Sequence, residues 1–202
     1  AHTISVSFKK IIEEPVAEVA DPKVTGVADT LETEKHDAYM NGKGNGKFAP
    51  DASMTRAEAA QMFYNLLKNK TADQNVQFTD VAATAWYSNA VSTLAARGVI
   101  NGVGDNKFAP EKTISRAEFT AIAVRLAKSN AAADTKFADV SANAWYSDAV
   151  RTAISYGWIT GYSDNTFRPN NRITRAEVVT VVNRMLARSC DKTSADSESI
   201  KN

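Results

Sequence analysis

The chain has one cysteine, Cys190, and two histidines, His2 and His36, in 202 residues. A lone thiol closes no internal disulfide and two imidazoles cannot build a histidine-rich metal centre, so disulfide-stapled and zinc-dependent architectures are excluded. An excess of one charge is missing too: 24 Lys and Arg stand against 23 Asp and Glu, a formal net charge of +1. Without a broad positive field, a role in coating nucleic acid is excluded. No run approaches the roughly 18 consecutive apolar residues of a membrane span. The opening Ala1-His2-Thr3-Ile4 has neither the basic nor the apolar region of an export signal. At roughly 100 to 200 residues per domain, the length bounds the chain to one or two compact units.

What the chain does have is periodicity. Phe78-Thr79-Asp80-Val81 recurs as Phe137-Ala138-Asp139-Val140, and Trp86-Tyr87 as Trp145-Tyr146. Gly98-Val99-Ile100-Asn101-Gly102 returns as Gly157-Trp158-Ile159-Thr160-Gly161, and Ser115-Arg116-Ala117-Glu118 as Thr174-Arg175-Ala176-Glu177. Every offset is 59, and sliding residues 78–127 onto 137–186 matches 23 of 50 positions without a gap. A third copy shows only its second half, at an offset of 60: Asn41-Gly42, Phe48-Ala49-Pro50 and Thr55-Arg56-Ala57-Glu58. Its first half lacks the aromatic pair, because Gly26-Val27 stands there, and lacks the Phe-x-Asp-Val element.

Each full copy reads as two helices around a loop. In the first helix, Tyr87, Val91, Leu94 and Ala95 form one apolar stripe, and Gly98 and Gly157 sit where a left-handed residue would end the helix. Gly102 to Asn106 is turn chemistry, and Phe108-Ala109-Pro110 reads as a short extended element. The second helix opens on Thr55, Ser115 or Thr174 with Glu58, Glu118 or Glu177 three residues on, the reciprocal capping box. Capping accounts for these six residues as structure. At the start, Ile4, Val6 and Phe8 alternate with Ser5 and Ser7 over Thr3 to Lys10, the pattern of a β-strand. The expected layout is the end of a preceding β domain plus linker at 1–23, a partial first module at 24–70, full modules at 76–130 and 135–188, and a polar tail at 189–202.

Arg56, Arg116 and Arg175 each follow an N-cap directly. A helix start carries unpaired donors and partial positive charge, so a guanidinium beside it makes a receptor for carboxylate or phosphate. The same dipole disfavours a cation there by about 0.3 to 1 kcal/mol, which suggests that a ligand or specific partner compensates. The competing reading is that each arginine covers apolar surface or pairs with an acid such as Asp105 or Asp164. Trp86 and Trp145 could stack on a sugar face or belong to the core. Gly42, Gly102 and Gly161 serve the turn first, with ligand approach to their N–H groups as a second use. The loops at Asp105-Asn106 and Asp164-Asn165 lack the ligand ladder of a calcium loop. No metal site, cofactor or catalytic constellation is expected, and His36 stands alone without a nucleophile or second base.

In their order and spacing, these elements resemble the S-layer homology family, the wall-anchoring modules of Gram-positive and related bacteria, over roughly residues 38–188. The resemblance implies a mainly α fold, with tandem helix-loop-helix repeats in a pseudo-threefold bundle. It implies intermodule grooves that bind secondary cell wall polymer, often through a pyruvylated N-acetylmannosamine. Arg56, Arg116 and Arg175 would be the ligand contacts, Gly42, Gly102 and Gly161 the groove floor, and Trp86 and Trp145 the flanking aromatics. A departure is the missing first half of copy one: grooves that need it are absent or are completed by sequence beyond Asn202. The function so implied is noncatalytic anchoring of an exported protein at the wall or surface layer, with the polymer or another peptidoglycan-linked glycan as partner, no nucleic acid, and self-association left open. The rivals are a module that drives surface-layer self-assembly and an accessory region of a wall hydrolase.

Overall fold

The computed structural model describes residues 26–34, 37–44, 46–71, 76–127, 134 and 137–188. The expected strand at Thr3–Lys10, the linker after it and the tail at 189–202 lie outside the described residues. The fold is mainly α, with five helices: α1 Arg56–Asn65, α2 Ser88–Ala96, α3 Arg116–Val124, α4 Ser147–Ser155 and α5 Arg175–Met185. Among the described residues, β pairing is limited to isolated bridges, and no helix is long and apolar enough to cross a membrane.

Helices α1, α3 and α5 are the second helices of the three copies. Each starts on a complete capping box, with Thr55, Ser115 or Thr174 accepting from the N3 amide and Glu58, Glu118 or Glu177 accepting from the N-cap amide. Just ahead of each start, the backbones of the copies interlock around a pseudo-threefold axis. Met54 N donates to Ile173 O at 3.2 Å, Ile173 N to Ile114 O at 3.2 Å, and Ile114 N to Met54 O at 3.0 Å. The three side chains are buried at this ring, and Phe63 of α1 meets Phe119 of α3 at 5.2 Å between ring centroids.

The first helix of each full copy packs on the second helix of the copy before it, α2 on α1 and α4 on α3. Both end as the sequence predicts, on left-handed glycines: Gly98 at φ +67° and Gly157 at φ +69°. Helix α5 has no such partner helix among the described residues. Tyr39 lies on it instead, its hydroxyl donating to Asn183 Oδ1 at 3.0 Å. Upstream, the segment from Gly26 to Glu32 crosses the C-terminal ends of α3 and α1. Ala28 N donates to Leu126 O and Glu32 N to Leu66 O, which satisfies terminal carbonyls, while Val27 and Leu31 are buried beneath.

The expectation of an extended Phe108-Ala109-Pro110 is corrected. Ala109 is left-handed at φ +56°, as are Ala49 at +54° and Arg168 at +58° in the other copies, so this element is a turn. In the two full copies, the Phe-x-Asp-Val motif braces this turn. The Asp80 carboxylate accepts from both Phe108 N and Ala109 N at 2.8 Å, and Asp139 accepts from Phe167 N and Arg168 N at 2.8 and 2.7 Å. Two convergent charge-assisted hydrogen bonds hold a backbone that alanine and arginine disfavour.

Candidate functional site

All three arginines are buried, and each runs from its helix start into the loop of the next copy. Arg56 donates from Nε to Phe108 O at 2.8 Å and from Nη2 to Asn101 O at 2.7 Å. Arg175 makes the same pair of bonds with copy one, to Phe48 O at 2.8 Å and Asn41 O at 2.5 Å. Arg116 donates from Nε to Phe167 O at 2.9 Å and uses Nη1 on Glu177 Oε1 at 2.9 Å. Each guanidinium lies over the phenylalanine of the loop that it grips, 4.6 Å from Phe108, 5.0 Å from Phe167 and 4.6 Å from Phe48. The contacts are therefore cyclic: copy one to two, two to three, and three back to one.

The backbone donors at these helix starts are all engaged. The N-cap amides go to the capping glutamates and the N3 amides to the N-cap hydroxyls. The first helical amides, of Arg56, Arg116 and Arg175, donate to Lys112 O, Asn171 O and Ala52 O; those of Ala57, Ala117 and Ala176 donate to Pro110 O, Pro169 O and Pro50 O. The helix starts thus present no free amide to an anion, and what remains at each junction is side-chain chemistry. The same loop carbonyls supply the negative dipole ends that let a cation sit at N1 against the macrodipole.

The acidic partner of each arginine is the capping glutamate of the next copy, rather than Asp105 or Asp164. Arg116 is bonded to Glu177, whereas Arg56 Nη1 stands 3.9 Å from Glu118, and Asp164 is held by Arg168 at 2.9 Å. Burial pushes the carboxyls of Glu58, Glu118 and Glu177 up, but hydrogen bonds from the N-cap and nearby cations outweigh it and hold all three below their ordinary values. For Arg56 the balance runs the other way: burial lowers its pKa, and Glu118 and Asp80 recover only part.

Gly102 and Gly161 admit the aromatic ring of their own copy. A Cβ would lie 2.8 Å from the Phe78 ring at Gly102 and 2.2 Å from the Phe137 ring at Gly161; at Gly42 it would meet Lys47 O at 3.0 Å. These positions let the phenylalanine pack under the loop, Phe78 against Phe108 and Phe137 against Phe167 at 5.6 and 5.8 Å. Trp86 and Trp145 are 61% and 67% exposed, and each meets its following tyrosine edge-on. Both precede the tyrosine that caps α2 or α4, so they sit outside the buried helical stripe. Large aromatics left this open at equivalent places are surface platforms and not core.

Sequence reasoning gave no role to Asp80 and Asp139, whose signal was their recurrence in every full copy. It also missed the residue after each loop glycine. Lys43 forms an ion pair with Glu58, and Tyr162 donates to Glu177 Oε1 at 2.5 Å, whereas Val103 at the same position is exposed. Among the described residues, no group of His, Cys, Asp and Glu converges on a metal position.

This repeat geometry coincides with three matches to the S-layer homology domain, at residues 35–60, 77–120 and 136–179. The chain belongs to the S-layer homology family. Among its relatives, Cell surface glycoprotein 1 of Acetivibrio thermocellus is 32% identical over 85% of this chain. The cellulosome-anchoring protein of the same organism is 34% identical over 77%, and an amylopullulanase of Thermoanaerobacterium thermosulfurigenes is 31% identical over 84%. The aligned region covers 8%, 37% and 9% of those proteins, so the S-layer homology repeats correspond to a minor part of each.

Proposed function

We propose that this chain is a noncatalytic anchor that tethers the protein carrying it to a bacterial cell wall, by binding an anionic wall polymer at the junctions between its repeats. Family membership supports anchoring at the cell surface, and relatives as different as an anchoring protein and an amylopullulanase fit a shared segment serving unlike cargo. The observation that carries polymer binding is the pair of exposed tryptophans, Trp86 and Trp145, at equivalent places on the full repeats. An indole face this open offers the apolar side of a sugar ring a stacking surface.

The junctions supply charge. Arg56, Arg116 and Arg175 hold the loops that begin at Gly42, Gly102 and Gly161, and in this reading the loops are the groove floor against which an acidic sugar lies. Each groove binds weakly, and a polymer that meets several at once gains avidity.

The test is co-sedimentation of the protein with purified walls, before and after acid extraction of their polymer. Wild type is expected to bind intact walls, with at least tenfold loss on extracted walls and at least tenfold loss for the Trp86→Ala/Trp145→Ala variant. These exposed side chains can be removed without unfolding the repeats, which a melting curve checks. Undiminished binding to extracted walls would overturn polymer recognition. Concentration-dependent polymers in sedimentation without any wall material would favour lattice assembly instead.

A further inference from the structure

We propose that Asn41-Gly42 is a site of spontaneous covalent modification, deamidation with isoaspartate formation, and that it ages the junction at which copy three closes on copy one. The inference concerns the covalent stability of the ring and holds whatever the ring binds.

The chemistry needs an asparagine side chain beside an unhindered backbone amide. After loss of its proton, the Gly42 nitrogen attacks Asn41 Cγ, a C–N bond forms, and Nδ2 leaves as ammonia. Water opens the resulting five-membered imide at either carbonyl. Opening at Cγ gives aspartate; opening at the former backbone carbonyl gives isoaspartate, whose chain runs through Cβ and whose old carbonyl carbon is now a carboxylate. Glycine is the permissive neighbour, because it has no Cβ to crowd the attack. Asn41-Gly42 and Asn101-Gly102 stand at equivalent places in copies one and two, whereas Thr160-Gly161 in copy three offers no amide to attack. Both Asn-Gly pairs are exposed, and neither glycine amide has a hydrogen-bond acceptor among the described residues.

What separates the two pairs is restraint. Attack requires side chain and backbone to swing until Cγ reaches the next nitrogen, so a loop held at several points resists it. Asn101 is held at both ends. Its carbonyl accepts from Arg56 Nη2 at 2.7 Å, and its side-chain amide fits between Ile100 O at 3.0 Å and Arg125 Nη2 at 3.2 Å. Further along, Asp80 clamps the turn amides of Phe108 and Ala109. Asn41 shares only the carbonyl bond, from Arg175 Nη2 at 2.5 Å. Its side-chain amide has no partner among the described residues, no Phe-x-Asp-Val braces its loop, and Phe48 is 39% exposed. The half copy therefore converts first.

The consequence falls on Arg175. Its guanidinium spans the loop from Asn41 O to Phe48 O, across the turn that Lys43 N closes on Lys47 O at 2.8 Å. An isoaspartate adds one backbone atom between the first acceptor and that turn, and it adds a negative charge. The spacing that fits both bonds is lost, and the three-to-one closure loosens while the other two stand.

To test this, the folded protein is incubated in warm, mildly alkaline buffer and digested with trypsin, which separates Asn41 in peptide 36–43 from Asn101 in peptide 98–107. Isoaspartate is read by enzymatic methylation of each peptide. Conversion at Asn41 is expected to run at least fivefold faster than at Asn101, with the two rates converging in denaturant. Arg125→Ala frees the Asn101 amide and should raise its rate at least twofold. After incubation, amide exchange should quicken across residues 41–49 in wild type but not in Asn41→Gln, which keeps the neighbouring Asn45-Gly46. Melting curves confirm that each variant is folded. Equal rates at Asn41 and Asn101 in the folded protein, conversion of Asn41 in denaturant alone, or an Asn101 rate unmoved by Arg125→Ala would overturn the inference. So would a converted Asn41 that leaves exchange unchanged.

Discussion

The loops of copies two and one differ in how they are braced, and their phenylalanines record it. Phe108 is 2% exposed and Phe167 0%, yet Phe48, gripped by Arg175 just as they are gripped by Arg56 and Arg116, is 39% exposed. The full copies place Phe78 or Phe137 under the loop and Asp80 or Asp139 on its turn amides. Copy one has no Phe-x-Asp-Val in its sequence. Even so, its loop keeps the left-handed Ala49 and both carbonyl bonds to Arg175. The second half of a repeat therefore suffices to close the ring, and the first half buries and braces the loop.

The sharpest way to break this comparison is to truncate the phenylalanines. Phe167→Ala should cost about 4 kcal/mol, as for a fully buried ring, and Phe48→Ala about 1 kcal/mol; denaturant melts of the two variants read the gap. Equal losses would mean that the half copy is packed as tightly as the full ones. Next are the arginines. Arg116→Ala takes the guanidinium from the half-buried Glu177 carboxylate and from a loop carbonyl, and should cost about 3 kcal/mol. Arg175→Ala should cost less globally while releasing the copy-one loop, seen as faster amide exchange confined to residues 41–49. Asp139→Ala removes the acceptor of two turn amides and should cost about 2 kcal/mol, with exchange rising at Phe167 and Arg168.

The smallest effect comes from pH. The Asp80 carboxyl is pushed up by burial but pulled down further by the Phe108 and Ala109 amides, and the net shift is downward, as it is for Glu58, Glu118 and Glu177. A folded pKa below the unfolded one gives stability that is complete above the unfolded value and lost as pH falls through the folded value. Melting temperature should therefore hold down to about pH 5 and decline below it. Exposed Asp164, held at about 2 by the Thr166 hydroxyl and Arg168, titrates last. A melting temperature that rises between pH 5 and 3 would contradict these directions.

How much of this the sequence revealed follows from distance along the chain. The capping boxes and glycine ends were legible because their donors and acceptors lie within a few residues. The partners of Arg56 were not, because Asn101 and Phe108 lie 45 and 52 residues away and only closure of the ring brings them near. Asp80 was visible as a recurring letter, but its acceptors' mates, two turn amides 28 and 29 residues on, were not. Trp86 was ambiguous because it borders a helical stripe without joining it. The contrast between Lys43, Val103 and Tyr162 escaped notice because repeats are found through what agrees, and these residues disagree.

The interlocked amides of Met54, Ile114 and Ile173 also fix an arithmetic. Each donor is spent on the next acceptor until the third returns to the first, so the circle leaves no vacant rung for a further unit. Longer proteins built from such modules would have to add them by threes, beginning a separate circle each time, and a count that is not a multiple of three must borrow the missing member from another molecule.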